Sequence, residues 1–409
     1  MNIWLVMSGE PLALYGERPH RVGILSQMLA DRGHQVTWWT TTFDHQKKEY
    51  LFDETKNIKV SNNLDMVFLH SETPYERNIS IKRIINHKKV ASEFSKKCLD
   101  KAKPDLIFCA YPTIDLAYEV TKFGKENNIK TIIDIRDLWP DIFVDAIPKS
   151  FKPFGSFLLS PLIKKSKYIF SNCDAITAVS QGYLNWSCKY SNRNLSDIDK
   201  VFPLGYKKSE SDKNTMVNYV HYHKIGIDKS KIIIWFVGTF GQTYDLLPII
   251  SAAKKLEKNA NVQFVFTGDG EKSSEWKKAA EGLSNVIFTG WVDKEGLNFL
   301  SSIASIGLMA YRKGAPQGLP NKIFEYLASG IPILSSLETE TKDILSKYEV
   351  GLTYDALDYN DCINKLDSLI SNTEKLSQMK SNALSVFEKE FSADIVYSNI
   401  IKYFESFKE

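Results

Sequence analysis

Short apolar runs and amphipathic stretches alternate along the first half of the chain. The apolar runs, which are typical of strands buried on both faces, lie at residues 2–7, 35–41, 64–69, 105–110 and 130–135. The amphipathic stretches, which predict helices, lie at 20–33, 80–101 and 114–127. Strands that alternate with helices in this way predict a parallel sheet in a Rossmann-like domain over residues 1–205.

A second series of the same kind follows a polar segment at 205–230, which we interpret as the interdomain connection. Its strand-like runs lie at 231–238, 261–270, 285–291, 306–311 and 331–336. Its helix-like stretches lie at 245–258, 273–281, 294–302 and 320–329, and polar helices continue to about 391. A second Rossmann-like domain is therefore predicted over 206–391. Two consecutive α/β domains favour a nucleotide-binding cleft between them.

Length and composition agree with two ordinary globular domains. The chain has 409 residues, of which 43% are hydrophobic and 25% are charged. Its net charge of +3 argues against a dedicated nucleic-acid binder, which normally carries a strong basic excess. The five cysteines are scattered without metal-ligand spacing, and no apolar run reaches the roughly 18 residues that span a membrane. These features indicate a reduced, cytosolic protein.

Small residues stand at four points where a predicted strand leads into a helix: 8–10, 238–241, 268–270 and 318–320. Glycine at such a turn allows backbone amides to approach an oxyanion, and a helix N-terminus adds a favourable potential for phosphate. Turn geometry alone explains any one of these sites equally well. Three of them in the second domain, in register with its strands, favour a phosphate site.

The segment 315–334 carries the most specific chemistry. Pro320 suits the first turn of a helix, and Lys322 places a cation where a diphosphate can bind. Glu325 lies on the same helix, and a carboxylate there can accept two hydrogen bonds from a ribose diol. The alternative is that Lys322 and Glu325 form a surface pair three residues apart.

Together these segments resemble the family-4 glycosyltransferases of GT-B fold, along nearly the whole chain. The resemblance rests on LSQMLADRGHQVTWWTT (25–41), DIRDLWPD (134–141), FTGDGE (266–271), NVIFTGWV (285–292) and LPNKIFEYLASGIPIL (319–334). Within that family the chain is similar to the bacterial O-antigen and capsule enzymes that transfer N-acetylfucosamine-type amino sugars. This finer resemblance rests on MNIWLVMSGEP (1–11), WWTTTFDHQKK (38–48), DLWPD (137–141) and the PNK variant at 320–322.

The resemblance implies two Rossmann-like domains whose parallel sheets face a central cleft. The N-terminal domain would bind the acceptor, the C-terminal domain would bind the nucleotide-sugar donor, and a helix at 392–409 would return to the N-terminal domain. The implied reaction is a retaining transfer of an N-acetylated amino or deoxyamino sugar from a UDP-sugar, without a metal or other cofactor. The implied acceptor is a lipid-linked saccharide in O-antigen or capsule synthesis.

The resemblance also implies roles for individual residues of the donor site. Glu325 would bind the ribose, and Trp291 would line the base pocket. Lys322 and the amides near Gly318 and Asn321 would meet the diphosphate. The loop formed by Gly238, Thr239, Phe240 and Gly241 would face the phosphates. The other predicted donor-binding residues are Gly268, Arg312, Gln317, Leu319 and Pro320. Two departures stand out, because Gln317 replaces a common acid and the 238–245 loop lacks the common Arg and Lys. Arg312, Lys313 and Lys322 are the candidates to replace that charge.

The motif 134–141 follows a predicted strand of the N-terminal domain, at the edge where such folds bind ligands. Arg136 stabilises the leaving phosphate or holds Asp137 in place, unless it forms a structural pair with Asp134 or Asp137. The loop after the first strand offers Glu17, His20 and Arg21 as acceptor-binding residues, with Arg18 beside them. We expect the remaining histidines to be exposed to solvent: His34, His45, His87, His221 and His223.

Residues 146–173 contain no acid but several lysines among aromatic residues, which suits an anionic membrane surface. The alternative is core packing with solvated lysines. With a lipid-linked acceptor, the stretch predicts peripheral binding to the inner face of the plasma membrane. Two other functions compete with glycosyl transfer: a GT-B nucleotide-sugar 2-epimerase or hydrolase, and an inactive sugar-nucleotide-binding scaffold.

Overall fold

The chain divides into two compact units. A computed structural model describes residues 1–17, 19–77, 80–145, 147, 157, 159–208, 222–315 and 317–408. The first unit comprises Met1–Leu204 and Val396–Glu409, and the second comprises Gly205–Ile395. The sequence places the boundary after residue 205 and returns the chain to the first domain at 392.

The first unit contains a sheet of eight strands in the order β10-β9-β8-β7-β1-β2-β6-β5. Its strands are β1 (Asn2–Val6), β2 (Gln35–Thr41), β5 (Lys56–Lys59), β6 (Leu64–Leu69), β7 (Leu106–Tyr111), β8 (Lys130–Ile135), β9 (Ala175–Ala178) and β10 (Lys200–Val201), and β3 (Phe43–Asp44) pairs with β4 (Glu49–Tyr50) in a separate hairpin. All neighbours in the sheet are parallel except β5 and β6. The predicted parallel sheet is thus present, with an antiparallel edge strand that the sequence pattern did not indicate.

Helices accompany this sheet, and most of them bury apolar residues in the core. They are α1 (Arg21–Asp31), α2 (Ile81–Lys97), α3 (Ile114–Asn127), α4 (Asp141–Asp145), α5 (Ser160–Asn172) and α6 (Gln181–Ser187). The core between sheet and helices is rich in aromatic rings: Trp4 lies 4.9 Å from Trp39 and 5.4 Å from Phe123, measured between ring centroids. Such rings bury large apolar areas and contribute much of the stability of the core.

The second unit contains a parallel sheet of six strands in the order β13-β12-β11-β14-β15-β16. Its strands are β11 (Ile232–Val237), β12 (Val262–Thr267), β13 (Val286–Gly290), β14 (Ala304–Met309), β15 (Ile333–Ser335) and β16 (Gly351–Thr353). Its helices are α7 (Leu247–Lys255), α8 (Ser273–Ala279), α9 (Lys294–Ile303), α10 (Lys322–Ala328), α11 (Glu340–Lys347), α12 (Tyr359–Ile370) and α13 (Thr373–Val386). A last helix, α14 (Ala393–Glu405), continues into the first unit from Val396 onward.

Most helices are shorter than the sequence pattern predicts. α7 begins only at Leu247, where Asp245 accepts a hydrogen bond from the Leu247 amide and Pro248 occupies the first turn. Of the predicted connection at 205–230, residues 209–221 lie outside the part of the chain that the structure describes. Within the described ranges, no helix is long and apolar enough to cross a membrane.

Candidate active site

Two glycine loops meet at the carboxyl ends of β11 and β12, where ligands bind in open α/β sheets. Gly268 has φ 133°, and a Cβ placed on it would lie 1.9 Å from the carbonyl oxygen of Gly238. Its amide donates to the carbonyl of Gly290 at 2.9 Å. Gly268 is therefore required for the close approach of the two loops, and its amide is already bonded within the protein.

The loop 238–241 is held in shape by its own backbone. The amide of Gly238 donates to Thr267 at 3.0 Å, and that of Phe240 donates to Asp269 at 2.9 Å. The Phe240 side chain is fully buried, with its ring centroid 5.0 Å from that of Trp276. The Phe240 ring thus anchors the loop in the core, while Thr239 is exposed and Gly241 is partly exposed.

Lys322 places a cation beside this loop. It is the first residue of α10 and is only 8% exposed, so the alternative of a surface pair with Glu325 is wrong. Its Nζ lies 4.2 Å from the centre of the Phe236 ring and 4.5 Å from that of Tyr244. A Cβ on Gly238 would lie 3.0 Å from the same Nζ, so the backbone of this loop passes close to the ammonium.

The ammonium of Lys322 has no hydrogen-bond partner among the described residues. Burial lowers its pKa to about 7, against the opposing effect of the Glu325 charge. A buried amine without an acceptor is costly, and two aromatic faces compensate it only in part. The arrangement is therefore suited to an oxyanion that reaches the Gly238 loop and supplies the missing acceptor.

The residues before α10 are fixed by α11. The carbonyl of Gly318 accepts hydrogen bonds from the hydroxyls of Thr339 at 2.7 Å and Thr341 at 2.9 Å. A Cβ on Gly318 would lie 2.6 Å from Oε2 of Glu340. The side-chain oxygen of Gln317 is buried without a hydrogen-bond partner in the described part of the chain. A polar ligand group that donates a hydrogen bond would satisfy it.

Four further residues of the predicted donor site follow or surround this turn. Leu319 and Pro320 are partly buried, Asn321 is exposed at the start of α10, and Glu325 is partly buried one turn into that helix. The structure thus brings Glu325, Lys322 and the Gly238 loop together.

Arg312, Lys313 and Trp291 lie at the surface. The first two are the other cations predicted to meet the phosphates, and Trp291 is predicted to contact the base of the nucleotide. Arg312 is exposed, and Lys313 donates to Glu338 at 2.6 Å, so the charge of Lys313 is already balanced. Trp291 follows β13 and its side chain is 65% exposed. Of the three cations considered for the phosphates, Lys322 is the one that is buried beside a glycine loop.

A buried ion network lies at the carboxyl ends of β1 and β8 in the first unit. It consists of Glu10, Arg21, Asp134 and Arg136. Arg136 donates from Nε to Asp134 at 2.9 Å and from Nη1 to Glu10 at 3.1 Å. Glu10 also accepts the amides of Val22 and Gly23 at the start of α1. The network is the structural Arg136–Asp134 pair that the sequence left as an alternative, extended by Glu10.

Arg136 retains one unused donor in this network. Burial opposes its charge, but Asp134 and Glu10 outweigh burial and raise its pKa, so it stays protonated. Its Nη2 is buried and has no hydrogen-bond partner among the described residues. The guanidinium is therefore held rigidly by two carboxylates and can still donate to an anionic group.

Arg21 does not reach an acceptor, contrary to the sequence expectation. It is 1% exposed, and its Nη1 donates to Asp134 at 3.2 Å. Its Nη2 donates to the carbonyls of Phe202 and Pro203, so the side chain ties α1 to β8 and to the end of the first segment. The sequence spacing gave no indication of this, because Arg21 and Asp134 are far apart along the chain.

The remaining predicted residues of the first unit have separate surroundings. Asp137 accepts hydrogen bonds from the Leu138 amide at 2.9 Å and from Trp139 Nε1 at 3.1 Å, and burial raises its pKa. Arg136 bonds to Asp134 and Glu10 and is not bonded to Asp137 in the described contacts. Glu17 is ion-paired with Lys47 at 2.6 Å, and His20 is exposed.

Glu17 lines an open pocket of this unit together with Glu10 and residues of the β3–β4 hairpin. Sequence reasoning missed Glu10, although the small-residue turn at 8–10 contains it. It also missed Tyr244, whose hydroxyl lies 3.7 Å from a Cβ placed on Gly238.

The expectation of exposed histidines holds for His223 and is wrong for three others. His34 is buried and contacts Glu405 at 3.1 Å, and His45 and His87 are partly buried in an aromatic cluster. His221 and Arg18 lie outside the described residues, as does most of the segment 146–159. In the described remainder of the basic stretch, Lys165 is bonded to Asp115 at 2.5 Å, while Lys164 and Lys167 are exposed.

Comparison with known proteins finds a family match in the second unit. Residues 221–386 match the family profile described as Glycosyl transferases group 1. Comparison with curated protein sequences gives no match.

Solved structures resemble the whole chain. Sucrose-phosphate synthase from Thermosynechococcus elongatus has a TM-score of 0.69 and 16% identity, with 99% of this chain and 98% of that chain covered. The Anabaena protein HepE in complex with UDP has a TM-score of 0.68 and 13% identity, with 99% and 100% covered. WaaG, a glycosyltransferase involved in lipopolysaccharide biosynthesis, has a TM-score of 0.61 and 13% identity, with 97% and 98% covered.

These likenesses confirm the predicted fold class, two α/β domains built on parallel sheets as in GT-B proteins. The profile match confirms the predicted class of enzyme. The chain has the GT-B fold, and the match of its residues 221–386 to the glycosyl transferases group 1 profile supports its assignment as a glycosyltransferase.

Proposed function

We propose that this glycosyltransferase transfers a sugar from a UDP-sugar to a saccharide acceptor with retention of configuration. The observation that carries the proposal is the buried ammonium of Lys322, which faces the Gly238 loop without a hydrogen-bond partner in the described chain. A diphosphate is the group of a nucleotide sugar that needs such a cation. HepE, which has the same fold, is known in complex with UDP.

In this proposal each donor residue has a defined task. Lys322 binds the diphosphate, and Glu325 on the same helix accepts hydrogen bonds from the ribose hydroxyls. Trp291 offers an exposed ring for the base, and Gln317 meets a sugar hydroxyl with its unpaired oxygen. The diphosphate is neutralised by side chains and dipoles, so no metal or other cofactor is required.

The chemistry breaks the bond between the anomeric carbon and the diphosphate oxygen and forms one to the acceptor oxygen on the same face. The proton of the acceptor hydroxyl passes to the leaving phosphate oxygen. Negative charge grows on that phosphate, and fixed donors aimed at it are the main expected catalytic contribution. The sequence motif assigns Arg136 to this role, and its Nη2 has no hydrogen-bond partner among the described residues. Double displacement through Asp137 or Asp134 is disfavoured, since both carboxylates are engaged in hydrogen bonds.

The finer assignment rests on the resemblance of the sequence motifs. It names an N-acetylated amino or deoxyamino sugar as the transferred group and a lipid-linked saccharide of O-antigen or capsule synthesis as the acceptor. The similarity in fold to WaaG, which acts in lipopolysaccharide biosynthesis, is consistent with a cell-envelope product. The enzyme would then work at the inner face of the plasma membrane, to which it binds peripherally.

A donor screen followed by turnover assays tests the proposal. A UDP-sugar should raise the melting temperature, whereas GDP- and dTDP-sugars should not, because only a ligand of the native state stabilises it. Lys322→Met should abolish the shift, and Lys313→Met should preserve it, since Lys313 is a neighbouring lysine already bonded to Glu338. UDP release that requires an acceptor supports transfer. An isomerised donor would support the epimerase instead, and binding without turnover would support the scaffold.

Vesicle binding tests the membrane assignment separately. Neutralising Lys149, Lys152, Lys164 and Lys167 should weaken binding to vesicles that contain anionic lipid, because each lysine near such a surface contributes about 1 kcal/mol. A matched variant neutralises four exposed lysines of the second unit: Lys254, Lys255, Lys277 and Lys278. Equal effects of the two variants, or no effect of the first, would refute peripheral binding through 146–173.

A further inference from the structure

Two aromatic rings of the second unit enclose the ammonium of Lys322. Phe236 belongs to β11, and Tyr244 lies in the loop between β11 and α7. Nζ of Lys322 lies 4.2 Å from the centre of the Phe236 ring and 4.5 Å from that of the Tyr244 ring. The two rings lie 5.2 Å apart between centroids, with an angle of 82° between their planes. We refer to Phe236 and Tyr244 as the aromatic corner.

The Tyr244 half of the corner is fixed by its pairing with residues that follow β14. Tyr244 forms an isolated antiparallel bridge with Tyr311, and the amide of Asp245 donates to the carbonyl of Ala310 at 3.0 Å. The Tyr311 side chain is buried, and its ring centroid lies 4.6 Å from that of Tyr244. A loop residue is thereby given a defined position, because both its backbone and its ring are packed against the end of the sheet.

The corner holds the ammonium without an oxygen acceptor. The hydroxyl oxygens of Tyr244 and Tyr311 lie 3.4 Å apart. Burial raises the pKa of Tyr311, so its hydroxyl stays protonated and adds no negative charge. Nζ of Lys322 has no hydrogen-bond partner in the part of the chain that the structure describes. What lies against this cation is therefore ring surface.

An aromatic face and a carboxylate hold an ammonium in different ways. A carboxylate would accept hydrogen bonds from Nζ and would compete with an incoming phosphate for the same donors. A ring face attracts the cation through its quadrupole and leaves the N–H donors available to an anion. A lysine side chain is also flexible, so a partner that restrains it reduces the entropy lost when the anion binds.

The corner places the ammonium at the glycine loop. A Cβ built on Gly238 would lie 3.0 Å from Nζ of Lys322 and 3.7 Å from the hydroxyl oxygen of Tyr244. The loop that contains Gly238 and Tyr244 is the one that lacks the common Arg and Lys. Its cation comes instead from α10, and Tyr244 is the loop residue that contacts this cation.

We propose that Tyr244 is a positioning residue for Lys322, whose ring holds the ammonium at the Gly238 loop before the donor binds. The inference rests on the proposed function, in which Lys322 binds the diphosphate of the nucleotide sugar. Tyr244 acts through Lys322 and needs no contact with the donor. The ring, and not the hydroxyl, is the part of Tyr244 that this role requires.

Calorimetric titration of the full chain with UDP tests the role of the ring. Tyr244→Leu should weaken UDP binding about tenfold or more, whereas Tyr244→Phe should stay within about threefold of the wild type, since it keeps the ring. Tyr359→Leu, at an exposed tyrosine of α12, is the matched control and should leave the affinity unchanged. Unchanged binding by Tyr244→Leu, or an equal loss in Tyr244→Phe, would overturn the inference.

Fluorinated phenylalanines at position 244 separate the attraction of the ring from its shape. Each added fluorine withdraws electron density from the ring face and weakens its attraction for a cation, while the size of the ring changes little. UDP affinity should fall with each step, because the ammonium is held less firmly in its charged form. A constant affinity across the series would make the ring a spacer and overturn the inference. These variants retain the packing, so they decide the result if Tyr244→Leu fails to show a thermal unfolding transition.

NMR spectra of the protein with ¹³C-labelled lysine separate this inference from the proposed function. The Lys322 signal is the one that is absent from Lys322→Met. Ring currents shift the Cε protons of a lysine that lies over an aromatic face, so the signal should move toward that of an ordinary lysine in Tyr244→Leu and stay in Tyr244→Phe. If the wild type shows this behaviour and binds no UDP, the donor assignment is removed and the positioning of Lys322 by Tyr244 stands. A Lys322 signal that does not respond to Tyr244→Leu overturns the inference whatever UDP does.

Discussion

Glu10 and Arg136 form an ion pair at 3.1 Å although β7 lies between their parent strands β1 and β8 in the sheet. The pair forms because both residues lie just beyond the carboxyl ends of those strands. Glu10 also accepts two amides of α1, so one carboxylate fixes both the start of that helix and the guanidinium of Arg136. The relationship makes Glu10 a positioning residue for Arg136.

Glu10→Gln should therefore reduce kcat more than it reduces binding. The amide retains the shape of the side chain but loses the charge that holds Nη1, and a hydrogen bond to a charged group contributes about 1.5–3 kcal/mol. We expect kcat to fall by about tenfold or more, with the KM of the donor nearly unchanged. Steady-state kinetics measures both values. Glu54→Gln, at an exposed acid of the same unit, is the control, and an equal loss in both variants would contradict the positioning role.

Glu325→Ala should abolish recognition of the ribose while the fold stays intact. Loss of hydrogen bonds to a charged acceptor, at about 1.5–3 kcal/mol, weakens UDP binding by roughly 10- to 100-fold. Comparison of UDP with 2′-deoxy-UDP sharpens the test, because the wild type should distinguish them and the variant should not. Glu374→Ala, at an exposed acid of α13, serves as the control. Full activity of Glu325→Ala would remove the donor-site assignment.

Gly268→Ala should destabilise the second unit and disorder the donor loops together. The new Cβ would lie 1.9 Å from the carbonyl oxygen of Gly238, at a φ of 133° that side chains rarely adopt. The backbone conformation alone costs about 1–2 kcal/mol, and the clash adds to it. Gly282→Ala is the matched control, since its φ is 82° but a Cβ there meets nothing within 4 Å. Denaturant unfolding should show a larger loss of the free energy of unfolding for Gly268→Ala than for Gly282→Ala. Similar losses would mean that the two loops can move apart at little cost, which would contradict the prediction.

The sequence pattern predicts the strands and helices that carry the site and fails where distant residues meet. Apolar runs and glycine turns located β11, β12 and the start of α10, because those signals are local. Arg21 was assigned to the acceptor since nothing near it in sequence indicates Asp134, and their contact requires the folded sheet. The histidines failed for the same reason: a helical or hairpin histidine looks exposed until Tyr75 and Trp139 are placed against it.

Lys322→Met should make the protein more stable and unable to bind the donor. Methionine has a similar length and no charge, so it removes a buried ammonium that lacks a hydrogen-bond partner among the described residues. The variant also loses the contacts of the ammonium with Phe236 and Tyr244, which offsets part of this gain. We expect the free energy of unfolding to rise by roughly 1–2 kcal/mol in total. Denaturant unfolding and UDP titration measure the two effects. Lys313→Met should change neither by much, and a destabilised Lys322→Met would show that the cation supports the fold.

UDP affinity should fall as the pH rises above about 7. Burial lowers the pKa of Lys322 from 10.5 to about 7, so the free protein loses this proton near neutrality. A bound diphosphate stabilises the charged amine and raises its pKa, so binding takes up a proton above pH 7 and weakens there by up to about tenfold per pH unit.

The lowered pKa of Lys322 also makes the free energy of unfolding depend on pH, and this dependence has the opposite direction to that of UDP affinity. Folding lowers this pKa, so between about pH 7 and pH 10.5 Lys322 holds its proton in the unfolded chain and has lost it in the folded chain. Lys322 therefore opposes folding least at the upper end of that range. Its contribution to stability therefore rises with pH across this window while UDP affinity falls. Titrations in two buffers of different ionisation enthalpy measure the proton uptake. Lys322→Met should remove this pH dependence of the free energy of unfolding, and an unchanged stability profile in that variant would assign the titration to another group.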